Sequence, residues 1–189
     1  GTRLMSDHEV SQFEVSHQEI SHRTGRIIHD ADSHIVEGRG WLESYASQYV
    51  RDNLKPAVFD LNMPALDPIF ETADKRLAGE DPELTEALKA DLFGHPGKRN
   101  MWSAYGAIEK RERSDAIDIM GISSQLIFPS LGASPFARSK DLDVVYGGCD
   151  ALNRGMADFC DDDERLKSVG YLSLKDPERA RKSLKLALE

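Results

Sequence analysis

Cysteine is scarce in this chain, with two in 189 residues, Cys149 and Cys160. Two cysteines make no disulfide framework. They stand eleven residues apart in one predicted helix; at about 1.5 Å of rise per residue that is about 16 Å, too far for a bridge. They read as reduced thiols in or near the core. Long apolar runs are missing too: no stretch of about 18 residues is apolar enough to cross a membrane. The segment from Gly1 to Ser21 is polar and has no apolar signal-peptide core, so the expected compartment is the cytoplasm. There is no basic excess either. Lys and Arg number 24 against 33 Asp and Glu, for a net charge of −9. The cations are interleaved with acids, as in the stretch Glu109 to Arg113, which reads as a solvated helix face. That balance argues against nucleic acid as a partner. Also absent are Gly-x-Ser-x-Gly, the phosphate loop and Gly-x-Gly-x-x-Gly. The pair Ser123-Ser124 therefore has no recognisable nucleophile context.

What is present is a soluble-protein composition with alternating strand and helix signals. Hydrophobic residues make up 40% and charged residues 30%, enough for one sizeable core. Residues 1–24 are rich in Ser, His, Glu and Gln and read as a flexible tail that carries His8, His17 and His22. The first strand falls within residues 26–36. A long irregular insertion, residues 37–105, follows it. The spacing predicts short helices there, one within 40–51. Two more open at Asp67-Pro68 and Asp81-Pro82, each with an aspartate as N-cap and proline at N1. An excursion of this length reads as a lid or an oligomer contact. Regular alternation begins after it. A helix over 107–120 ends at Gly121, where a left-handed glycine belongs. Residues 122–129 form an apolar second strand. In a helix over 141–160, Val145, Cys149, Leu152, Met156 and Phe159 step by four, three, four and three, a core-facing stripe. The acidic run 161–164 opposes the helix dipole and belongs in the loop beyond. A third strand over 167–174 follows, and Asp176-Pro177 opens a last helix.

This order implies an α/β fold with a parallel sheet. Three strands do not close a barrel, and a (β/α)₈ domain needs about 250 residues. The last helix reaches Glu189 without a C-cap signal, which favours a chain that stops short of its fold over a small open sheet.

On a regular first strand, Ile28, Asp30, Asp32, His34 and Val36 share one face. Asp32 and His34, two residues apart, can chelate one divalent ion through a carboxylate oxygen and an imidazole nitrogen. Zn²⁺ suits such a mixed pair, as do Mn²⁺ and Fe²⁺. Asp30 reads as a partner for His34 or as a satisfied buried acid, and Glu37 as an approach to the site or a solvated loop acid. Phe128, Pro129 and Ser130 end the second strand as pocket lining or as core and turn. His95 reads as a loop histidine of the insertion.

The segment 26–37, RIIHDADSHIVE, resembles the opening strand of the amidohydrolase-related family that includes aminocarboxymuconate semialdehyde decarboxylase. Further stretches are similar to that family: 113–121 (RSDAIDIMG), 125–129 (QLIFP), 151–159 (ALNRGMADF) and 165–177 (RLKSVGYLSLKDP). The resemblance covers roughly residues 26–189. It implies that residues 25–189 are the N-terminal part, about three strands, of a TIM-like (β/α)₈ barrel. It also implies one catalytic divalent metal, with Asp32 and His34 as first-strand ligands and the other ligands on later strands. The expected activity is metal-dependent hydrolysis of a small carboxylate, amide or lactone, or else non-oxidative decarboxylation on the same fold. No residue here stands out as the catalytic acid or base. The expected partners are a small-molecule substrate and further copies of the chain in a homo-oligomer, with no membrane. Two competing readings are an inert half-barrel that must pair with a second chain, and a small open α/β binding domain.

Overall fold

The structure, a computed structural model, describes residues 26–58, 66–93 and 103–188. Three strands form one parallel sheet in sequential order: β1 (His29–His34), β2 (Ser124–Phe128) and β3 (Leu166–Ser168). Seven helices accompany them among the described residues. They are α1 (Trp41–Tyr45), α2 (Gln48–Asn53), α3 (Asp67–Leu77), α4 (Pro82–Ala90), α5 (Lys110–Met120), α6 (Leu142–Cys160) and α7 (Pro177–Ala187). The tail 1–24 and the loop with His95 lie outside the described residues.

The sheet buries one face and leaves the other open. Gln125, Ile127 and Leu166 are nearly inaccessible, whereas Leu126 between them on β2 is 42% exposed. The period-two alternation of a strand puts those two sets on opposite sides. The buried side packs on α6. Asp141 caps that helix through its side chain, which accepts the Asp143 N–H. The predicted stripe from Val145 to Phe159 is buried throughout. So is Gly155 on another side of the same helix, which α1 and α2 cover. A Cβ on Gly155 would stand 2.5 Å from the Trp41 ring, and one on Gly147 2.5 Å from Val50 Cγ2. These glycines let the helices approach to contact distance.

That packing corrects the insertion reading for its first third. Residues 41–53 are wall, not lid, since Leu42, Ala46 and Val50 belong to the same hydrophobic core as Ile127 and Leu152. Farther on, α3 is tied to α5 by a buried ion pair, Arg76 Nε to Glu112 Oε1 at 2.6 Å and Nη2 to Oε2 at 2.9 Å. The solvated-face reading of residues 109–113 fails at this point. Glu112 and Arg113 are both buried, in register with Ala116 and Ile117 on the inner stripe of α5.

Several boundaries shift. α3 has Leu66 as its N-cap and Asp67 inside the first turn, while Asp81 caps α4 as expected. α5 begins at Lys110, because the Glu109 carboxylate accepts the N–H groups of Arg111 and Glu112. Gly121 ends it with φ at 69°. β3 is shorter than the expected 167–174. After Ser168 the backbone turns to side chains of α6: Asn153 exchanges two hydrogen bonds with Tyr171, and the Tyr146 hydroxyl reaches Ser173 O. No described helix is long and apolar enough to cross a membrane.

Candidate metal pair at the end of the first strand

β1 is not a regular strand. Asp30 pairs with Gln125 and Ser33 with Ile127, so three steps on β1 match two on β2. The extra residue is a bulge. A one-residue slip exchanges the faces of everything on one side of it. Asp30 therefore does not share a face with Asp32 and His34. It lies on the helix side with Ser33, its Oδ2 accepting the Gln125 side-chain amide at 3.0 Å and its Oδ1 accepting the Asp32 N–H at 3.1 Å. Of the two readings for Asp30, the satisfied acid is the one the structure supports. His29 moves the other way, and its Nδ1 meets Ser124 Oγ at 2.7 Å.

Asp32 and His34 remain together on the open face. His34 Nε2 lies 3.4 Å from Asp32 Oδ1, with the side chains 50% and 87% exposed. The His34 ring stacks on Phe128, its register partner on β2, with centroids 5.5 Å apart. Ser130 Oγ stands 3.5 Å from His34 Nδ1 and donates to Ile35 O at 2.6 Å. Of the three residues read at the end of β2, Phe128 and Ser130 thus touch His34.

Glu37 is not a solvated loop acid. It is 2% exposed, and its carboxylate accepts the backbone N–H groups of Ser130, Leu131 and Gly132 at 2.9–3.0 Å. Glu37 thus clasps the loop after β2, from two residues past Phe128 of the His34–Phe128 stack. Nothing near Glu37 in the sequence signals this partner set, because the three donors are main-chain groups 93 to 95 positions away.

Arg113 is the other residue that sequence reasoning missed. From α5 it reaches under β1. Its Nε donates to Gly106 O at 2.6 Å, Nη1 to Ser33 Oγ at 2.6 Å and to Gln125 Oε1 at 3.4 Å, and Nη2 to His34 O at 2.6 Å. Burial pushes the guanidinium down to about 10, against the pull of Asp30. The Arg113, Ala116, Ile117 periodicity of α5 is the signal that would have placed Arg113 inside.

Asp32 and His34 suit a divalent ion as far as two donors go. Ligands about 2.1 Å from a tetrahedral ion lie about 3.4 Å from each other, which is the separation of His34 Nε2 and Asp32 Oδ1. Among the described residues no third His, Cys, Asp or Glu completes a set.

No family model matches the chain, and no curated protein does. A solved structure does, that of an amidohydrolase from Mycobacterium avium subsp. paratuberculosis K-10. The TM-score is 0.58 at 17% identity, over 87% of this chain and 47% of that one. The fold is amidohydrolase-like. At this identity the likeness concerns the fold alone, and the chain spans about half the length of the structure it matches.

Proposed function

We propose that this chain is the N-terminal portion of a metal-dependent hydrolase, with Asp32 and His34 as the first-strand ligands of a divalent ion, Zn²⁺ by donor type. The observation that carries the reading is the 3.4 Å approach of His34 Nε2 to Asp32 Oδ1 on the open face of the sheet, at the end of β1. Parallel strands in sequential order, joined through helices, are what the first sector of a (β/α)₈ barrel contains, and barrel active sites gather at the C-terminal ends of the strands. The half-length match to an amidohydrolase agrees with such a sector. The exposed Leu126 on that face would then point into the barrel interior, covered by later strands.

A bound divalent ion would lower the pKa of a water and polarise a carbonyl or carboxylate of a small substrate. The chain's own residues supply the seat. Asp32 offers one anionic oxygen, and His34 offers Nε2 while Nδ1 faces the Ser130 hydroxyl. Phe128 holds the imidazole plane from one side and presents an apolar edge to whatever binds there.

The test is metal content. In the intact protein that carries this chain, Asp32→Ala with His34→Ala should remove the bound ion, and an unchanged content would overturn the assignment. A panel of amides, lactones and small carboxylic acids then separates the chemistries. Water-consuming cleavage supports the hydrolase; carbon dioxide release without it assigns a decarboxylase instead.

A further inference from the structure

Arg113 is a buried cation whose hydrogen-bond partners, among the described residues, are all neutral oxygens. Burying a guanidinium without a carboxylate in direct contact is costly. Three of its five donors are spent on one place: two address Ser33 and His34 of β1, and a third addresses Gln125, which holds Asp30. These contacts fall on both sides of the bulge at residues 31–32, where β1 changes face. The approach is prepared from behind. Gly106 has φ at 79°, and a Cβ there would stand 2.8 Å from Arg113 Cα. Only glycine lets the loop lie close enough for Gly106 O to receive Nε.

We propose that Arg113 is a positioning residue for Asp32 and His34: its fork on Ser33 and His34 O, extended through Gln125 to Asp30, locks the bulge that turns both side chains to the open face. The functional consequence rests on the reading of that pair as metal ligands; the bulge lock itself does not. A regular β1 continued from the Asp30–Gln125 pair would carry Asp32 and His34 to the helix side with Asp30. The lock keeps Asp30 on the far side and leaves a two-donor seat. The planar fork matters, since lysine has the charge but cannot hold two acceptors at fixed spacing.

The test uses solution NMR on the intact protein that carries this chain, freed of metal. Amide exchange is read at Asp32, bonded to Asp30 Oδ1, and at Ile35, bonded to Phe128 O. The His34 ring resonances report the Phe128 stack. Arg113→Lys should speed exchange at both amides at least tenfold and move the ring resonances toward exposed-histidine values. Ser33→Ala, the milder variant, should act in the same direction and decides the matter if Arg113→Lys does not fold. Glu112→Gln, which breaks the buried ion pair with Arg76 but keeps an oxygen for the Gly106 N–H, should lower the unfolding midpoint and leave both signals in place. Wild-type signals in Arg113→Lys or, where that variant does not fold, in Ser33→Ala would overturn the proposal, as would equal changes in Glu112→Gln. Zn²⁺ is then titrated into wild type. Absence of a His34 response would sink the metal reading and leave the bulge lock standing.

Discussion

The carboxylate of Glu37 and the backbone of Gly132 lie in direct contact: Gly132 N donates to Oε1 at 2.9 Å, and a Cβ on Gly132 would stand 2.8 Å from that same oxygen. The glycine leaves room for the acid and for Leu152, whose Cδ1 would stand 2.7 Å from that Cβ. Three main-chain donors converging on one buried carboxylate make a rigid corner between the ends of β1 and β2.

Glu37→Ala should therefore cost about 3 kcal/mol or more, because it strands buried N–H groups as well as removing charge-assisted bonds. Glu37→Gln should cost less but still destabilise, since its NH₂ group faces donors. Chemical denaturation midpoints check both, and a Glu37→Ala variant within about 0.5 kcal/mol of wild type would mean that water replaces the clasp.

Gly148 faces Phe136, which is fully buried, and a Cβ at Gly148 would overlap the ring. Gly148→Ala gains about 1 kcal/mol of helix propensity but must displace a core aromatic, at about 1–3 kcal/mol. We expect net destabilisation. Gly38→Ala, with nothing within 4 Å of its Cβ position, is the control and should be neutral or slightly stabilising. Thermal melts of the two variants compare them directly.

The Arg76–Glu112 pair joins α3 to α5 with side chains 4% and 9% exposed. Removing one partner strands the other charge, so Arg76→Met or Glu112→Leu alone should cost about 3–5 kcal/mol, while the double substitution should cost less than either. A double-mutant cycle measures this, and additive losses would contradict it.

Asp163 sits in the fork of Arg165, which also reaches Asp118 of α5. The guanidinium holds the Asp163 carboxyl down at about 2, against burial. A folded-state value below the unfolded one, about 3.9, stabilises fully above that value and is lost as pH falls toward 2. Asp163→Asn should therefore lower stability at pH 6 and narrow its gap to wild type between about pH 4 and 2. Denaturation midpoints across that range would expose a constant gap, the contrary result.

Much of the fold is legible in local pattern. The α6 stripe, the aspartate caps of α4, α6 and α7, and the Gly121 stop depend on neighbours within one or two turns, so composition and spacing reveal them. Asp32, within the bulge, and His34, beyond it, share a face in the structure as on a regular strand. Asp30, on the bulge's other side, does not. A bulge depends on pairing with β2, about 95 residues away, and periodicity within β1 carries no trace of that partner.

The sequence by itself determined the order of strands and helices, the core stripe of α6 and the Asp32–His34 spacing, since each follows from side-chain period and capping chemistry. Only the tertiary structure decided that Glu37, Glu112 and Arg113 are buried, that residues 41–53 wall the core, and that Asp30 turns away from the pair. The physical reason is common to all of these. A charge or a glycine goes inside only where distant main-chain groups or a neighbouring helix satisfy it, and such partners are set by packing across the chain, not by local sequence.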